Sequence, residues 1–112
     1  MKLYGLYEHD NIPNLEYNHR KFCDLNNIEY NKVKIKNYRQ KYHQIYYILE
    51  SNINDTIIFI DSYSYFKSFE FDFEMISDIL IQSSDLEIYD NFFIVKSNKE
   101  TLRIFKNIVI SS

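Results

Sequence analysis

Asp61 is the residue best placed to do chemistry. It stands directly after Ile57, Ile58, Phe59 and Ile60, four apolar residues bounded by polar Asp55–Thr56 on one side and Asp61–Ser62 on the other. Such a run reads as a short strand buried on both faces, at the centre of a parallel sheet. In open α/β sheets ligands bind at the carboxyl ends of the strands, so an acid there is a candidate ligand-binding carboxylate, with a polar strand stop as the competing reading. The other reactive side chains offer less. His9, His19 and His43 lack metal-ligand spacing and are read as surface or hydrogen-bonded histidines, His9 alone lying at the end of a strand. Cys23 is the single cysteine, which excludes an internal disulfide and a cysteine-rich metal site and reads as a core thiol on a helix. Tyr46 and Tyr47, and Tyr63 and Tyr65, could stack a base, but such rings more often pack or form an interface. The one glycine, Gly5, lies within a strand, so no glycine loop cradles a phosphate.

The elements that must position Asp61 follow from periodicity. Lys2–Tyr7 alternates as an inner strand, and Asn14 is placed to cap a helix over 15–25 on whose stripe lie Leu15, Phe22, Cys23 and Leu25. Residues 28–35 suit a second strand. Tyr38, Tyr42, Ile45 and Leu49 recur at helical spacing, giving a helix over 38–50 ahead of the central strand at 56–60. Strand, helix, strand, helix, strand is the order that yields right-handed crossovers and parallel pairing. Beyond it a helix is expected over about 72–82. Two strands, 86–89 and 92–96, follow with a turn at Asp90 and Asn91. Ser97-Asn-Lys-Glu100 then reads as a capping box opening a helix to about residue 109. The expected fold is a single α/β domain over 1–112, Rossmann-like, with a mainly parallel sheet and helices on both faces.

Composition narrows the class. Eleven Tyr and nine Phe in 112 residues are more aromatic rings than a small core absorbs, so some are expected at a rim or an interface, with self-association or a protein partner as the consequence. The formal net charge is −3, without the Lys/Arg stripe that nucleic-acid binding requires. No segment reaches the roughly twenty apolar residues of a membrane span, and no leader is evident, so a cytoplasmic protein is expected.

The stretch from Lys41 through Asp55-Thr-Ile-Ile-Phe-Ile-Asp61-Ser-Tyr-Ser-Tyr-Phe66 resembles the core of a type A glycosyltransferase. More narrowly, it is similar to the glycosyltransferase domain of the collagen lysyl hydroxylases and their relatives. Asn91-Phe-Phe-Ile94, leading to the helix after Ser97, resembles that family's Gly-Gly-Phe-Ile run. The resemblance implies that Tyr7 and Glu8 lie against a nucleotide base, Lys41 near a phosphate, Asp61 near ribose or a metal, and Tyr63 beside the nucleotide. It also implies Mn²⁺ or Mg²⁺ with a UDP-sugar, the cation neutralising charge on the departing diphosphate. At three positions the sequence departs from the family. Ser64 stands where a second acid is expected, and Asn91 and Phe92 stand where two glycines are. Asp61, Ser64 and Asp90 are then the metal candidates. The expectation is a degenerate glycosyltransferase-like domain acting as a small intracellular binding or inhibitory protein, of a kind that phages and mobile elements carry. The alternative is a minimal glycosyltransferase or nucleotide-sugar-binding subunit, or a fragment needing another chain to complete its sheet.

Overall fold

The computed structural model describes residues 1–8, 13–70, 75, 77–83 and 88–111. The elements run β1 (Lys2–Tyr7), α1 (Pro13–Leu25), β2 (Glu29–Lys34), α2 (Tyr38–Ser51), β3 (Thr56–Asp61), β4 (Ile79–Ser83), β5 (Ile88–Lys96) and α3 (Lys99–Ser111). One five-stranded sheet has the order β2-β1-β3-β5-β4. β1 pairs in parallel with both β2 and β3, whereas β5 is antiparallel to β3 and to β4. The fold is α/β as expected, with a mixed sheet whose amino-terminal half is parallel.

Alternation along the inner strands sends side chains to two cores. Leu6, Ile57, Phe59, Phe93 and Val95 meet Ile45 and Leu49 of α2 and Phe105 of α3 on one face. Leu3, Ile58, Ile60 and Ile94 meet Phe22 and Cys23 of α1 on the other. β3 is the strand buried from both sides, Ile57 to Ile60 each being 2% exposed or less. At roughly 25 cal/mol per Å² of apolar surface, such strands hold the layers together.

The ends of the helices explain themselves locally. Pro13 opens α1, where its fixed φ and missing N–H carry no penalty, and this places Asn14 inside the first turn rather than at the cap. Asn37 caps α2, its side-chain oxygen accepting from the Gln40 N–H. At α3 the capping box sits one residue later than Ser97. Asn98 Oδ1 accepts from the N–H of Thr101, and the Asn98 N–H donates to Thr101 Oγ1. Ser97 is buried and donates its hydroxyl to the Leu49 carbonyl, tying α3 to the end of α2.

Two expected elements differ. The helix expected over about 72–82 on the spacing of Phe73, Ile76, Ile79 and Leu80 is overturned where it can be followed: Ile79–Ser83 form β4, because pairing with β5 outweighs the helical spacing; residues 72–74 and 76 of that expected helix lie outside the described residues. The two strands expected at 86–89 and 92–96 are one, β5, which runs through Asp90 and Asn91. The pairing with β4 slips there, Ile81 pairing with Phe93 and Gln82 with Tyr89, so the expected turn is an irregularity within a continuing strand.

Candidate functional site

The carboxyl ends of β1 and β3 lie side by side, and the polar groups that follow them form the candidate site. Asp61 is the last residue of β3 and turns its carboxylate toward α2. It is 7% exposed. One oxygen accepts from the Tyr63 N–H at 2.8 Å, closing an Asx turn, and the other lies 3.9 Å from Lys41 Nζ. Lys41 is 4% exposed, and its ammonium also lies 5.6 Å from the centre of the Phe93 ring and 5.9 Å from that of Tyr42. Charge, countercharge and aromatic faces are thus packed together at the end of the most buried strand.

Beside this pair, the Glu8 N–H donates to Ser62 Oγ at 3.5 Å, and the Tyr63 hydroxyl donates to Glu8 Oε2 at 3.3 Å. The Glu8 carboxylate pushes the Tyr63 phenol above its ordinary pKa. Tyr63 keeps an exposed ring. The structure therefore gathers Glu8, Lys41, Asp61 and Tyr63, four of the residues singled out from sequence, at the carboxyl ends of β1 and β3.

Tyr7 does not join them. Its side chain is wholly buried on the α1 face, where its hydroxyl lies 2.7 Å from His19 Nδ1 and 2.8 Å from the Tyr30 hydroxyl. His19 Nε2 lies 2.7 Å from the Ser64 carbonyl oxygen. A carbonyl only accepts, so Nε2 carries the proton, Nδ1 accepts from Tyr7, and Tyr30 donates to Tyr7. Burial holds the His19 ring below its ordinary pKa, which keeps it neutral, and raises the Tyr7 phenol well above its own. Burial likewise raises the Cys23 thiol to about 12. This buried chain is absent from the sequence reading, although a signal exists: His19 falls four residues after Leu15 and three before Phe22, on the apolar stripe of α1.

Tyr7 also explains the glycine. A Cβ on Gly5 would overlap the Tyr7 hydroxyl and ring, which lie back over it. Because that ring is fixed by His19 and Tyr30, Gly5→Ala is expected to destabilise the fold by about 1–3 kcal/mol, measured by urea unfolding.

The segment after β3 is fastened by α1. Asn18 makes a reciprocal pair with the backbone of Phe66, donating to its carbonyl and accepting from its N–H, and Asn26 donates to the Phe69 carbonyl. Phe66 stacks on Phe22 with ring centres 3.7 Å apart. Ser64, Phe66 and Lys67 then line a cavity of about 380 Å³ with Ile60, Leu80 and Phe92. Phe92, at one of the expected glycine positions, presents its ring to this space.

Among the described residues the donor set is too small for a divalent cation. Hard dications take six or more oxygens with several charges among them. Asp61 already faces an ammonium, the Ser64 carbonyl is engaged by His19, and among the described residues no three His, Cys, Asp or Glu side chains cluster to hold a metal. The Asp90 and Asn91 side chains, and His9, lie outside the described residues.

No helix among the described residues is long and apolar enough to cross a membrane. No protein-family model and no curated protein matches the sequence. Among solved structures the fold is similar to the crystal structure of a glycosyltransferase involved in the glycosylation of the major capsid of PBCV-1, with a TM-score of 0.52 over 98% of this chain at 10% identity. The chain spans 66% of that protein's length. At that identity the likeness is one of fold: the mixed α/β sheet with its flanking helices is glycosyltransferase-like.

Proposed function

We propose that this chain is a glycosyltransferase-like domain without sugar-transfer activity that acts as a small intracellular binding protein. One observation carries the reading. The carboxylate at the end of β3 is buried, neutralised by Lys41 and bonded to the Tyr63 N–H, so its charge is already spent within the fold. Phe92, half-buried beside the 380 Å³ cavity where the resemblance to the lysyl hydroxylase domain places a glycine, supports it further. Exposed rings of Tyr17, Tyr47, Tyr63 and Tyr65 supply surface for a protein partner.

A second reading, nucleotide-sugar binding or transfer, is favoured by the exposed Tyr63 ring beside Glu8 at the carboxyl ends of β1 and β3. Calorimetric titration with UDP and UDP-sugars, with and without Mn²⁺, separates the two. No heat is expected from folded protein under either condition. Binding that requires Mn²⁺ and disappears in Asp61→Asn would overturn the first reading and establish the second.

A further inference from the structure

Helix covers the two faces of the sheet unequally. Among the described elements α1 is the one helix that sends side chains into the core built on Leu3, Ile58 and Ile94, while α2 and α3 both serve the other face. α1 packs on β2, and β4 lies at the opposite edge of the sheet. Toward β4 the cover is the chain that follows β3. The cavity of about 380 Å³ lies where that chain, from Ser64 to Lys67, faces Ile60, Leu80 and Phe92 of the sheet.

The floor of this cavity is hydrocarbon. Ile60 is 2% exposed, and Phe66, Leu80 and Phe92 are half-buried around it. The Phe66 and Phe92 rings stand at 85° to one another with their centres 5.9 Å apart, a corner that a third flat ring fills by stacking on one and meeting the edge of the other. Both sides of the corner are held in place. Asn18 bonds the Phe66 backbone through its N–H and its carbonyl, Phe22 stacks on the Phe66 ring, and Phe92 is paired with Ile60 across β5 and β3. Little freedom is therefore lost in the wall when a ligand enters.

The polar side chains, Ser64, Tyr65 and Lys67, all come from the chain after β3, and the last two are exposed at the mouth. None of the described lining residues is acidic. A cavity so divided suits an anion whose charge stays at the mouth beside Lys67 while its apolar body enters. A nucleobase or a sugar is a poor occupant, because the floor offers no side-chain hydrogen-bonding group to its polar edge. We propose that the cavity binds an aryl carboxylate, a hydrocarbon ring system carrying one acidic group. This goes beyond the proposed function and stands whether or not the chain transfers sugar.

Calorimetric titration of the whole chain with 2-naphthoate tests it, with 2-naphthylmethanol as the neutral counterpart. Saturable binding at a single site with a Kd below about 1 mM is expected for naphthoate, and the alcohol is expected to bind at least about threefold more weakly. Phe92→Ala removes one side of the corner and is expected to weaken both compounds about tenfold. Lys67→Glu is expected to weaken naphthoate about fivefold and leave the alcohol unchanged; it alters an exposed side chain, so it decides the matter should Phe92→Ala fail to fold by circular dichroism. No saturable heat by about 5 mM, equal affinity for the two compounds, or binding indifferent to both variants would each overturn the proposal. So would displacement of naphthoate by UDP, which would put the ring in a nucleotide site, or a dimer that refuses naphthoate, which would make the cavity the seat of a second copy. Mn²⁺-dependent binding of UDP that leaves naphthoate in place would count against the proposed function and leave this inference intact.

Discussion

Lys41→Met is expected to destabilise the protein by about 3–5 kcal/mol, because it removes the countercharge from a carboxylate that is buried and has little water to turn to. The ammonium stands 3.9 Å from the Asp61 oxygen, and both side chains are less than a tenth exposed. Asp61→Asn in the same chain is expected to restore most of the loss. The amide keeps an oxygen for the Tyr63 N–H while carrying no charge, so the double variant removes the electrostatic penalty and spares the Asx turn. Urea unfolding of the two single variants and the double one gives the coupling energy directly, provided the denaturant slope is unchanged. Additive losses in the double variant would show that Lys41 and Asp61 act separately, and would free the carboxylate for the ligand-binding role that the proposed function denies it.

The second large effect is on the pH dependence of stability. Burial lowers the folded-state pKa of His19 below its ordinary value of 6.5, so the unfolded chain takes up a proton that the folded chain refuses. The contribution of the neutral ring is complete above pH 6.5 and is lost as the pH falls below it, through the folded-state value. Across that window the slope approaches about 1.4 kcal/mol per pH unit for this single group. His19→Gln is expected to lower stability by about 1–3 kcal/mol at pH 8, where it disturbs the bonds to Tyr7 and the Ser64 carbonyl. Its deficit should shrink toward pH 5, as the wild type loses an advantage that the variant never had. Unfolding curves for both proteins across this range check the sign; a deficit that stays constant or widens in acid would mean that His19 is charged in the fold.

The amino-terminal half of the fold was legible because each element had its own period and its own boundary. The run at residues 57–60 is β3, Tyr38 to Leu49 is a helical stripe, and Lys2–Tyr7 alternates as an inner strand does. Past Phe66 the same rules lose their grip. Phe69, Phe71 and Phe73 alternate as a strand does while Phe73, Ile76, Ile79 and Leu80 keep helical spacing, and only the neighbouring β5 decides for a strand over 79–83. Asp90 and Asn91 are residue types of a turn, but the strand continues through them with a shift of register. In the site, Asp61 and Lys41 could be placed at a strand end and on a helix, yet nothing local says that they face one another. Tyr7 shows the limit most clearly. The family resemblance set it against a nucleotide base, whereas the alternation of the strand turns its side chain to His19.

The strand order also constrains when the sheet can be completed. β1, β2 and β3 become neighbours through connections that are finished by Asp61, so this half can pair as the chain leaves the ribosome from its amino terminus. β4 cannot. Among the described residues its one partner in the sheet is β5, which follows it in the chain and lies between it and β3. Ile79, Leu80 and Ile81 precede in the chain the strand that they must join, so β4 pairs only after β5 is available. The edge strand of the native sheet is thus an apolar segment made before its partner, with Asp78 before it and Asp85 and Glu87 after it in sequence, charges of the kind that guard an unpaired apolar strand against association.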